Sequence, residues 1–396
     1  MIPLAVPDLT GNERKYLNQC IDTTFVSSVG EFVNRIEEMT AEKSGAEYGV
    51  ATSSGTTGLH LALTGSGVKR DDLVIMPTFT FIATANAVTH CGAVPWLLDI
   101  STDSWTLDVR QLEQELERNA FWRQEQLIHK ETGRRIAAIM PVYTLGNIPD
   151  MDKLRDIAKR YNLPIIADAA AALGAEYKGR KIGGLADLTV ISFNGNKTVT
   201  AGGGGMIVGN NQILMKKLKH LSTTARTTAE YDHDMAGFNY RMTNIQAAVG
   251  CAQLERADEF VKKKRLIRSA YNQSFCGWED VSLFPVPEGV KSACWLSGIV
   301  LNYGGQQEVR KVCQELYIKG IEGRSFWKPI HLQKPYRNAI RAQSLEASSE
   351  LWNRILTLPC SSNITDEELE YVITTVKEVA SAILAENNLK ELGDPF

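Results

Sequence analysis

The 396-residue chain is 44% hydrophobic, long enough to exceed one compact domain and to bury a large core without metals or disulfides. Its 43 basic and 46 acidic residues leave a formal charge of −3, too even a balance to recruit nucleic acid or an anionic membrane surface. Seven scattered cysteines without a CxxC pair, and six dispersed histidines, argue against a disulfide framework or a metal site and for a reducing, cytoplasmic location.

In chain order, "MIPLAVPDLTGNERKYLNQC" lacks a basic stretch followed by an apolar one, and no apolar run anywhere reaches membrane-spanning length. From about residue 48 to 210, short runs rich in Val and Ile ("YGVATSS", "DDLVIMP", "AVPWLLDI", "IAAIMPVY", "LPIIADAA", "LTVISFN") alternate with helix-like stretches. That alternation predicts an α/β fold with a mostly parallel sheet and helices on both faces. Residues 120–135 read as a surface helix and turn, and residues 210–275 as mostly helical, with one long helix over "NIQAAVGCAQLERADEFVKKKRLIRSAYNQ". Its run Lys262-Lys263-Lys264-Arg265 reads as a solvated face. A strand "CWLSGIVL", a helix, a loop and a last helix follow, the last opened by Thr365 with Glu368 three residues on, a capping-box pattern. The expected organisation is a large domain over 13–255 and a smaller α+β domain over 256–396, with residues 1–12 packing near the latter.

In such sheets ligands lie beyond the carboxyl ends of the strands, so the loops there carry the candidate chemistry. Asp168 ends the strand "LPIIADAA", and Lys197 follows the strand "LTVISFN" and precedes four consecutive glycines. No G-x-x-x-x-G-K-[ST] and no G-x-G-x-x-G between strand and helix is present, which excludes the common nucleotide-binding loops. A lysine amine and a carboxylate presented from two strand ends suit pyridoxal phosphate: the amine condenses with the aldehyde, and the carboxylate keeps the pyridine nitrogen protonated. Taken alone, Asp168 also fits a cap or an ion-pair partner, and the glycines also fit a hairpin. "SSGTTGLHLAL" adds Ser54, Thr56 and Thr57 at the start of an apolar helix, an arrangement for a phosphate or for ordinary capping. In "PTFTFIATANA", Phe81 offers either an aromatic face to a flat ring or a core side chain.

Together with "GAVPWLLDI", "PDMDKLRDIAKRYNLPIIADAA", "SFNGNK", "GGGGMI", "GFNYRMTNIQAA" and "KPIHLQKPY", these motifs make the chain resemble, from end to end, the DegT/DnrJ/EryC1/StrS sugar aminotransferases. The resemblance implies a fold-type I pyridoxal-phosphate-dependent transferase. "SFNGNK", "FVSSVG" and "LPCSSNIT" look most like the branch that aminates the C4 ketone of UDP-linked 2-acetamido-2,6-dideoxy-4-keto sugars, whose products feed bacillosamine-type or legionaminic-acid-type glycans in polysaccharide or lipopolysaccharide synthesis. It further implies that Lys197 bonds the cofactor, that Asp168 faces the ring nitrogen, and that Thr56, Thr57 and Ser192 hold the phosphate. Phe81 would stack on the ring, and Asn239 would reach the phosphate site of the neighbouring subunit in a homodimer with shared active sites. Without the resemblance, Asn239 reads as a loop amide. L-glutamate would be the amino donor, with pyridoxamine phosphate formed between two half-reactions on a nucleotide-linked ketosugar. Arg226, Arg241, Arg324 and His331 are candidates for the sugar side.

Two positions depart from the family pattern. Ala171 stands where members usually carry Gln, His or Glu near the phenolic oxygen of the cofactor, and Tyr143 stands where many have histidine. The dehydratase variant of the fold carries histidine in place of the lysine, so Lys197 argues against it. A cofactor-binding or sensory homologue without turnover remains the non-enzymatic alternative, kept open by Ala171.

Overall fold

Consecutive strand residues point to opposite cores, which is the mark of a sheet covered on both sides. Leu73 and Ile75 pack into one cluster, while Val74 and Met76 pack into another. The computed structural model describes residues 1–392. Its central strands are β1 (Tyr48–Thr52), β2 (Leu73–Pro77), β3 (Val94–Leu98), β4 (Ile136–Ile139), β5 (Ile166–Asp168), β6 (Leu188–Ser192) and β7 (Gly205–Gly209). The pairings run β1-β7-β6-β5 and β2 between β3 and β4, and bridges Ile139–Ile165 and Val142–Asp168 join the two sets into one sheet. β7 is antiparallel to both of its neighbours; the other pairings of the seven are parallel.

One face is covered by α2 (Glu31–Ser44), α5 (Val109–Asn119), α6 (Met151–Arg160) and α8 (Asn244–Glu255), through residues such as Phe32, Ile36, Leu112, Leu154 and Cys251. The other is covered by α3 (Gly55–Gly65), α4 (Ile82–His90) and α7 (Gln212–Ser222), through Leu61, Val88 and Leu218. A third core gathers the C-terminal part: α9 (Ala257–Phe275), strands Val281–Leu283, Ser297–Leu301, Arg324–Ser325 and Ile355–Leu358, α10 (Gln306–Ile318) and α12 (Asp366–Leu392). Those four strands pair antiparallel. Phe79, Trp105 and Leu145 from the larger sheet region belong to this third core, so the two parts share packing where strand ends meet it.

We propose a boundary at Arg256, where α8 gives way to α9; the final four residues of the smaller expected domain, 393–396, lie outside the described residues. The N-terminal segment runs beside the C-terminal part, with Ile2 N–H donating to Gly320 O (2.7 Å) and Cys360 N–H to Leu4 O (2.8 Å). The Thr365–Glu368 capping box is formed, at 3.0 and 3.1 Å.

Three expectations about elements are corrected. The single long helix is two, because Arg256 leaves helical geometry (φ −107°, ψ 7°) and its guanidinium holds Asp8 and Glu259. Residues 120–129 form a β-hairpin instead of a helix: Gln124 and Glu125 both take positive φ (48° and 61°), the twist that suits a two-residue turn. Between 223 and 243 the chain is irregular, not helical. The basic run is also not all solvated, since Lys264 is buried.

Candidate active site

Five segments leave the sheet at its carboxyl edge, after β1, β2, β4, β5 and β6, and line a cavity of about 350 Å³, within the usual range for small-molecule sites. Lys197, Asp168, Thr56, Ser192 and Phe81 all line it.

Asp168 is the last residue of the buried strand β5, so its carboxylate is held by the sheet itself. Oδ2 accepts from the Thr84 hydroxyl at 2.7 Å, and Oδ1 accepts from Ala170 N–H at 3.1 Å. Thr84 is in turn hydrogen-bonded to Thr80 at 2.8 Å, both hydroxyls in the first turns around α4. Burial pushes the Asp168 carboxyl above its ordinary value, opposed by the Thr84 and Ala170 bonds and the nearby Lys197.

Lys197 sits in the loop between β6 and β7, half-buried, with its amine 3.6 Å from the centroid of the Trp295 ring. Burial lowers that amine to about 8, and Asp168 pulls in the opposite direction. A lysine so placed holds a usable fraction of neutral amine near physiological pH, which nucleophilic and proton-transfer work requires.

One end of the cavity is built by the start of α3, with Ser54, Gly55 and Thr56 in its lining. Ser54 is its N-cap, and its hydroxyl accepts from Thr57 N–H at 3.1 Å while Thr57 Oγ1 accepts from Ser54 N–H at 3.0 Å. The amides of Gly55 and Thr56 fall in the first turn, where a helix offers no internal acceptor. Ser192 closes against Gly55, where an added Cβ would come within 3.1 Å of the serine side chain. Of the four glycines after Lys197, Gly205 serves this approach. A Cβ on Gly205 would lie 2.7 Å from backbone atoms of Ser54 and Gly55, so only a bare backbone lets β7 run beside the start of α3.

Other expected residues sit elsewhere. Thr57 does not line the cavity, because its hydroxyl is consumed by the helix cap. Asn239 and Arg226 are exposed on the irregular 223–243 segment, Arg226 lying over the Tyr231 ring at 5.1 Å. Arg241 is turned toward α2, donating to Ser28 O (3.2 Å) and approaching Glu37 (3.5 Å). Arg324 is exposed and paired with Glu322. His331 is buried, bonded to the Thr78 and Ser349 hydroxyls at 2.7 and 3.1 Å, and lies outside this cavity.

Phe81 is joined by two tryptophans that no motif in the sequence marks, Trp295 and Trp327. Trp327 lies 5.9 Å from both Phe81 and Trp295, ring centroid to centroid, and makes a strip with them across the cavity. Phe81 is 53% exposed, free to present a face. Thr84 was also missed, although its place one helical turn after Thr80 in "TFIAT" was the available signal. Ala171 lines the cavity with no polar atom, and Tyr143 is buried there with its hydroxyl reaching only the Met151 sulfur at 3.5 Å.

A buried amine, a carboxylate on a strand end, a helix N-terminus with Thr56 and Ser192, and a flat aromatic wall together fit pyridoxal phosphate. Comparison with known proteins agrees with that donor set. The family model of the DegT/DnrJ/EryC1/StrS aminotransferases matches residues 7–377. The GDP-perosamine synthase of Caulobacter vibrioides is 38% identical over 380 residues, 96% of this chain and 98% of that protein. A UDP-4-amino-4,6-dideoxy-N-acetyl-beta-L-altrosamine transaminase of Campylobacter jejuni is 30% identical, covering 89% and 91%. Among solved structures, Spr1654 of Streptococcus pneumoniae superposes with TM-score 0.87 at 26% identity over 98% of this chain and 99% of that one, and it has been solved in PLP and PMP forms as well. The chain belongs to the DegT/DnrJ/EryC1/StrS aminotransferase family and is a pyridoxal-phosphate-dependent sugar aminotransferase.

Proposed function

We propose that the chain moves an amino group from L-glutamate to the C4 ketone of a 4-keto-6-deoxy sugar carried on a nucleoside diphosphate. The observation that carries this is the meeting of the Lys197 amine and the Asp168 carboxylate in one cavity, each from its own strand end. When bound, pyridoxal phosphate supplies an aldehyde carbon that carries the amino group and a ring that accepts electrons. Lys197 would be the residue that holds the cofactor covalently, and its Nζ, with its pKa lowered by burial, would take and return the proton. Asp168, kept in place by Thr84 and Ala170, would face the ring nitrogen and favour its protonated form. Thr56, Ser192 and the first amides of α3 would hold the phosphate, and Phe81 would offer its exposed face to the ring.

Asn239 and Arg226 extend from an exposed segment, which supports a role across a two-fold interface in a homodimer whose sites are shared. Greater identity to relatives named GDP-perosamine synthase than to the two named for a UDP-sugar puts GDP first among carriers, with the UDP-linked 2-acetamido-4-keto sugar as the second reading.

The test is the visible spectrum of the protein with pyridoxal phosphate before and after L-glutamate. The parent should gain a band that glutamate bleaches, and Lys197→Ala should gain none. Restoration of the bleached band by a GDP-linked 4-keto-6-deoxy sugar, and not by the UDP-linked acetamido sugar, would support GDP. The reverse would support UDP, and restoration by neither would refute the C4-ketosugar assignment.

A further inference from the structure

Trp295 stands directly under the reacting amine, held from four sides. Its indole N–H donates to Asn196 O at 2.7 Å, and Asn196 is the residue before Lys197, so ring and lysine backbone are tied together. Its backbone N–H donates to Leu145 O at 3.0 Å, its carbonyl accepts from the buried Lys264 Nζ at 3.0 Å, and Trp327 packs on its edge. The residue is buried, with 3% of its surface exposed. The Lys197 amine lies 3.6 Å from the ring centroid, well inside cation–π range.

We propose that Trp295 is a positioning residue for Lys197: its indole face receives the amine whenever that amine is not bonded to the cofactor and stabilises it as an ammonium inside the cavity. The inference rests on the aminotransferase reading of Lys197. A released lysine has a flexible four-carbon stem and must wait without escaping and without being locked in a tight ion pair. An aromatic face meets both needs, because it attracts the ammonium yet has no acceptor lone pair to hold a fixed geometry. It also opposes the depression that burial imposes on the amine, and so keeps both protonation states accessible for a group that must give and take a proton. Lys264, taken from sequence as part of a solvated basic face, is thereby explained as the cation that fixes the Trp295 carbonyl.

The experiment measures the titration of Lys197 directly, in the full-length, cofactor-free protein, by competitive acetic anhydride labelling across pH with mass-spectrometric readout of that lysine. Trp295→Leu should lower the Lys197 midpoint by about 0.4–1.5 pH units, the loss of one cation–π contact. Trp295→Phe retains an aromatic face and should fall by less than half as much; it also serves if the leucine variant does not fold, with Trp295→Met as its non-aromatic comparison. An unchanged midpoint in a folded non-aromatic variant, or equal shifts in the phenylalanine and non-aromatic variants, overturns the proposal. Borohydride trapping of pyridoxal phosphate on Lys197 of the parent is scored separately. Failure to trap would overturn the aminotransferase reading, while the labelling midpoints would still decide the role of Trp295.

Discussion

Thr84→Val replaces a buried hydroxyl by a methyl at nearly constant volume and removes the side-chain donor to Asp168. A bond to an ionised carboxylate contributes about 1.5–3 kcal/mol, and one to a neutral carboxyl about 0.5–1.5 kcal/mol. Losing it should therefore raise the Asp168 pKa by roughly one further unit, beyond the rise that burial already causes. Because that pKa lies above the unfolded value of 3.8, the folded protein binds the extra proton between the two, and stability falls as pH rises through that window. The variant should lose more across it than the parent does. Urea unfolding of cofactor-free parent and variant, from just above the unfolded carboxyl value to about pH 8, reads this directly. The difference should widen with pH, from about 0.5–1.5 to about 1.5–3 kcal/mol. A difference that stays constant with pH would refute the claim that Thr84 stabilises an ionised Asp168.

Gly205→Ala should push β7 away from the start of α3, since the new Cβ would meet backbone at 2.7 Å, and should weaken binding of pyridoxal phosphate at least ~10-fold while affecting unphosphorylated pyridoxal less. Equal losses for the two ligands would show that the glycine does not serve the phosphate end. Lys197→Met should be more stable than the cofactor-free parent at pH 7 by about 1–3 kcal/mol, because the parent pays to bury an ammonium whose pKa has dropped to about 8. Between about 8 and 10.5 the unfolded chain binds the extra proton, so parent stability rises with pH there and the advantage should vanish; thermal melts across that range check it.

What could be read from sequence followed local order. β5 and β6 are short apolar runs, and each presents its chemistry at the strand end or within a few residues of it, so Asp168 and Lys197 pair on the sequence alone. Thr56 and Ser54 were legible for the same reason, as the start of a helix following a strand. Thr57 was not, because the same hydroxyl can cap or bind and only geometry decides; the capping box takes it. Trp295 and Trp327 come from the C-terminal part and enter the cavity by tertiary packing, and apolar periodicity assigns such residues to a core. The 120–129 hairpin hid behind polar composition, with its information in two positive-φ turn residues that no pattern of hydrophobicity announces.

Lys197 and Asp168 carry opposite charges in one cavity, yet burial pushes each toward its neutral form, the amine down and the carboxyl up. Their mutual attraction works against both shifts without being the largest influence on either. Lys197 escapes the cost when its amine is bonded to carbon, and Asp168 escapes it when a cation stands against its free lone pairs. An occupant that does both at once is favoured for relief of two burial penalties as well as for its own contacts, and its affinity is coupled to pH through the same two groups. Burial of these two groups at one strand edge is therefore part of how the site selects what binds there.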